Sequence, residues 1–77
     1  MTVITDATFS WSSPVTLNAD EIWQSRGSTL FVTTSTSPAT NDGLALRENQ
    51  ALRFSAGMVV RYRKEGNDPV HIVRETA

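Results

Sequence analysis

Turn-forming residues cut this chain into pieces too short for ordinary helices. Arg26-Gly27-Ser28, Asp42-Gly43, Glu48-Asn49-Gln50, Ser55-Ala56-Gly57 and Glu65-Gly66-Asn67-Asp68 each separate short clusters of β-branched, aromatic and aliphatic residues. Such punctuation specifies an all-β domain of many short strands. The clearest strand covers residues 58–64, where Met58, Val60 and Tyr62 alternate with Val59, Arg61 and Arg63. A period of two gives a strand one dry face. Pro69 fits the start of a following strand, where no ladder donor is needed. The chain returns as Val70-His71-Ile72-Val73-Arg74, so a β-hairpin is expected from 58 to 74.

Upstream, Leu52 and Phe54 point inward and Arg53 outward, and Ser55-Ala56-Gly57 turns that strand into the one beginning at Met58. Residues 44–47 and 29–34 read as two further strands. Within 18–27, Asn18 and Glu21 are spaced like a helix cap and Gly27 is a fitting stop, leaving a short helix as an alternative. The segment is shorter than the roughly 8–20 residues usual for helices, so 21–26 is read as a strand. Residues 35–43 form a polar projecting loop. Residues 1–13, with Val3, Ile4, Phe9 and Trp11 among polar neighbours, form an N-terminal arm or edge strand; 14–77 form a single β domain. The expected architecture is a small antiparallel β-sandwich or partly open barrel, jelly-roll-like, of about seven short strands.

Seventy-seven residues bury only about 60% of their unfolded surface, so the core needs support. Cysteine is absent and His71 is the one histidine, which excludes disulfides and an ordinary zinc site in one subunit. Association with copies of itself is the remaining route. The formal net charge is −1, against the positive excess typical of proteins that live on phosphate backbones. No apolar run approaches membrane-spanning length and the N-terminus lacks a secretory pattern. A cytoplasmic start with no membrane association is expected.

Nothing in the sequence assembles a catalytic or cofactor-binding constellation. No G-x-S-x-G spacing accompanies His71, which reads as a partly exposed sheet residue. Asp20 and Glu21 are adjacent, so on a strand they face opposite ways and cannot form one acid–base pair. Asn41-Asp42 and Asn67-Asp68 are oxygen-rich but lack calcium-loop spacing, and turns favour them for backbone reasons. The chain is read as a non-enzyme with no cofactor and no metal.

The run LRENQALRFSAGMVVRYR, residues 46–63, resembles the paired hairpins of jelly-roll domains such as cupins. Cupins place metal-binding histidines near the corner; here Met58, Val59 and Val60 follow it, so that chemistry is not implied. Over its full length the Thr- and Ser-rich, cysteine-free chain is similar to small β-rich virion accessory proteins of tailed phages and gene-transfer agents. That resemblance implies a symmetric assembly and a place on a virion.

Arg61 and Arg63 share one face of their strand, and Arg53 is expected on the same face of a neighbouring strand. Together they suggest a cationic patch for single-stranded nucleic acid, but Tyr62 points away from them and cannot stack a base there. Glu48, Glu65 and Glu75 are expected to pair with these arginines across strands. Six arginines against one lysine also suit a protein interface. Phe9, Trp11 and Trp23 are the other candidate contacts: with Ile22 inside, Trp23 lies outside or under the N-terminal segment. The favoured function is a non-catalytic, self-associating structural β domain serving a larger protein assembly. A carbohydrate-binding module using Trp11 or Trp23 is the alternative, and a nucleic-acid binder using Arg53, Arg61 and Arg63 a further one.

Overall fold

A computed structural model describes residues 2–77. Eight strands follow in chain order: β1 (Thr2–Ile4), β2 (Val15–Thr16), β3 (Glu21–Arg26), β4 (Leu30–Thr33), β5 (Leu44–Leu46), β6 (Ala51–Phe54), β7 (Val59–Lys64) and β8 (His71–Thr76). They build two antiparallel sheets, ordered β1-β8-β3-β6 and β2-β7-β4-β5, packed face to face with both ends open. The fold is the all-β sandwich expected, and 21–26 is the strand rather than the short helix. The strand count is eight, against about seven expected. The unforeseen two-residue β2 owes its place to pairing with Val59 and Val60 and is too short to carry a periodicity.

The pairings are nested. β4 pairs with β5, β3 with β6, β2 with β7 and β1 with β8. The chain is therefore one long antiparallel ribbon, its tip at residues 34–43, laid by turns on two layers. Lateral pairing of β3 with β8 and of β4 with β7 joins the ribbon to itself.

This corrects the hairpin expected from 58 to 74. β7 and β8 lie in opposite sheets, as do β6 and β7, so the turns at 65–70 and 55–58 cross between layers. In one sheet, the dry rows of β7 and β8 would lie side by side and still need a cover. In opposite layers they cover each other across the core. The 65–70 connection folds against the 26–28 turn, where a Cβ on Gly27 (φ +94°) would stand 2.8 Å from the Pro69 carbonyl oxygen. Glycine is required there both for its left-handed backbone and for that close approach.

Leu17, Trp23, Leu30, Val32, Leu46, Phe54, Val60, Tyr62, Val70 and Ile72 form the core. Trp23 is its centre, meeting the Phe54 ring edge-on at 5.5 Å and the Tyr62 ring at 6.2 Å. Trp23 is 0% exposed while Ile22 is 40% exposed, the reverse of the facing expected from the sequence. The register explains it: Trp23 and Ser25 share the inner face with Leu52 and Ile72, and turning Ile22 inward would expel them all. Glu21, two residues before Trp23 on that face, accepts bonds from Arg74 Nε (2.8 Å), Arg74 Nη2 (3.0 Å) and the Trp23 indole N–H (3.0 Å).

Candidate interaction surface

Residues 8–17 run along the free edge of β7 and extend the short β2. Lys64 N donates to Thr8 O (2.8 Å), Ser12 N to Tyr62 O (2.9 Å) and Tyr62 N to Ser12 Oγ (3.1 Å). This strap carries Trp11 onto the outer face of the second sheet and Phe9 to the Lys64 end of β7. There β7 presents Arg61 and Arg63, and β4 presents Phe31 opposite Arg63.

The Arg63 guanidinium lies over the faces of Phe31 (4.4 Å to the centroid) and Trp11 (5.5 Å). Lys64 Nζ lies 5.1 Å from the Phe9 ring. Trp11 is fixed from its far side, its indole N–H donating to Ala39 O at 2.8 Å in the 34–43 loop. A Cβ on Gly43 (φ +100°) would come within 2.8 Å of Trp11 Cη2 and 2.7 Å of Val32 O. The strap, the ribbon tip and the sheet thus lock together through one indole.

Arg63 is only 7% exposed, and its one hydrogen bond is from Nη1 to Lys64 O at 3.3 Å. Arg61 is held similarly, Nη1 to Ser12 O at 3.3 Å. The Nε–H groups of both arginines are buried without a partner. The expected carboxylate partners do not form: among the described residues the ion pairs are Arg53–Asp20 (2.7 Å) and Arg74–Glu21 (2.8 Å). Glu48 follows β5 and Glu75 lies in β8, neither of them a lateral neighbour of β7, and Glu65 follows β7 itself and so faces none of its arginines across strands.

The structure gathers Phe9, Trp11, Arg61 and Arg63 from the predicted site residues and separates the other two. Arg53 lies on the opposite sheet, because β6 pairs with β3 and not with β7. Its carboxylate partner Asp20 also accepts from Ala56 N at 2.8 Å, which fastens the β6–β7 corner. That backbone bond, then the Arg53 charge, holds the Asp20 carboxyl below its ordinary pKa. Trp23 is the core residue already described and presents no surface. Phe31 and Lys64 were missed. The lateral pairing of β4 with β7, which no local pattern announces, is what brings Phe31 into the cluster.

A second feature lies along the side where β5 and β6 are the sheet edges. By register Leu44 shares the inner face with Val32, yet it is 61% exposed. Leu44, Ala45, Leu46, Ala51 and Leu52, with Gln50 as the one polar residue, line a groove between the two edges. Among the described residues no three His, Cys, Asp or Glu side chains converge as a metal site. Comparison with known proteins finds no match, whether among family models, curated proteins or solved structures.

Proposed function

We propose that the chain is a non-catalytic, self-associating structural β domain that serves a larger protein assembly, as in the phage-like particles its sequence resembles. Exposed Leu44 carries this reading: it belongs to the inner face of a sandwich, and it is left 61% exposed by the described residues. β5 is an edge strand with no lysine, proline or bulge to blunt it, and unprotected edges invite further strands. Its sequence Leu-Ala-Leu is symmetric about Ala45. An antiparallel twofold pair centred there sets each Leu44 opposite Leu46 of the copy, continues the second sheet into eight strands and covers both grooves. The nested ribbon supports a jelly-roll reading of the sandwich, an architecture that viral capsid domains use for assembly.

Solution mass tests the proposal. The expected species is a multiple of the 8.5 kDa chain at micromolar concentration. Leu44→Lys should shift it to the single chain with its circular dichroism intact. A wild-type protein that stays at the single-chain mass at millimolar concentration overturns the reading.

A further inference from the structure

We propose that the outer face of β7 is a docking point for a carboxylate carried by an acidic peptide segment of a partner protein, received by Arg63 with Arg61 beside it. Arg63 is a cation that has lost nearly all its water without gaining a carboxylate. It is 7% exposed, its Nε–H is unpartnered, and its single bond is a long one to a backbone carbonyl. The Phe31 and Trp11 faces compensate part of that loss and pin the guanidinium plane. With rings over its plane, the guanidinium can be met by a further partner only along its edge, and a planar carboxylate is the group that an Arg fork receives edge-on. Arg61 also takes no part in the ion pairs of the described residues, so the face carries two cations without a carboxylate, two residues apart.

The surroundings select the ligand class. Nucleic acid would need a free aromatic face and a long basic track. Trp11 is engaged by Arg63 and Ala39, and the chain carries a net charge of −1. A sugar would need free polar side chains for its hydroxyls. The Thr8, Ser12 and Thr33 hydroxyls around the cluster are all bound to backbone. An acidic side chain asks only for the cations and for apolar flanks, which the Phe31 and Trp11 rings supply.

The test is calorimetric titration of the folded protein at low ionic strength with a blocked peptide of alternating glutamate and glycine. Binding is expected to be saturable, weakened by added salt, and reduced about tenfold or more by Arg63→Gln, the scale of one charge-assisted bidentate contact. Arg53→Gln, on the opposite sheet, should bind as wild type. If Arg63→Gln does not fold, Arg61→Gln takes its place, with a loss in the same direction expected. Leu44→Lys should keep peptide binding, which separates this proposal from self-association. No binding by the wild type, an equal loss in Arg53→Gln, or tighter binding of a single-stranded oligonucleotide or polygalacturonate than of the peptide overturns the proposal.

Discussion

Glu21 shows how much one side chain settles in so small a core. Its carboxylate answers both Arg74 donors and the Trp23 indole, with Arg74 Cζ 5.0 Å from the Trp23 ring centroid. Both charged side chains are mostly buried, so Glu21→Ala leaves a desolvated cation and an unpartnered indole. We expect a loss of about 2–3 kcal/mol in urea unfolding, the cost of orphaning such groups near the surface. The Arg74 hydrogen bonds hold the Glu21 carboxyl below its ordinary value of 4.5. A depressed folded value stabilises above the unfolded one and is lost as pH falls through the folded one. Wild-type stability should therefore drop below about pH 4.5, and Glu21→Gln should flatten that drop. Tyr62 runs the opposite way. Burial first, then its 2.6 Å bond to Asp6, pushes the phenol up to about 12. Its contribution is complete below about pH 10, the unfolded value, and declines as pH rises toward 12. Tyr62→Phe should remove that alkaline slope, read as the urea midpoint against pH. The sequence placed Asp20 and Glu21 on opposite faces, and they do serve separate partners. It could not pair Glu21 with Arg74, whose separation along the chain leaves no local trace.

At the level of the strand, alternation was the readable signal and lateral partnership was not. β7 showed its core row from spacing alone, because Val60 and Tyr62 against Arg61 and Arg63 leave one sensible choice; the opposite row was expected wet, yet Phe31 and Trp11 leave Arg63 only 7% exposed. β3 offered two: either Ile22 with Gln24, or Trp23 with Ser25, and a buried serine disguised the correct row. Ser25 is tolerated there because its hydroxyl finds the Ser28 carbonyl. Which strands lie side by side depends on rows meeting across the core, and that is why Arg53 was grouped with the wrong sheet. The 34–43 loop is similar: its polarity marked it as projecting, while its bond to Trp11 ties it down. Gly43→Ala tests that tie. A methyl group there meets a backbone oxygen and an indole edge, on a backbone that L-residues resist. A cost of about 2 kcal/mol is expected from strain of this kind, with a red shift of Trp11 emission as the indole leaves its seat. An unchanged emission spectrum would show that the tip and strap are not coupled.

For the whole molecule, nested pairing makes the two ends of the chain unequal. β8 lies between β1 and β3 in its sheet, whereas β1 is an edge strand of three residues, two of them exposed. Removing residues 1–4 takes away one flank and the partly buried Ile4. Removing residues 71–77 strips Ile72 from the core, leaves Glu21 without Arg74, frees one edge of β3 and leaves all of β1 without a pairing partner. The shorter N-terminal deletion should keep a cooperative transition at lower stability, by about 1–2 kcal/mol for a part-buried isoleucine. The C-terminal deletion should give no cooperative transition at all. Outer pairs of the ribbon also join residues at opposite ends of the chain, so closing them costs the most loop entropy. Refolding on the millisecond-to-second scale of non-local β topologies is then expected, with β4 and β5 at the tip as the cheapest starting point. If the N-terminal deletion were the one to abolish the transition, β1 and not β8 would be the strand of the outermost pair on which the fold depends.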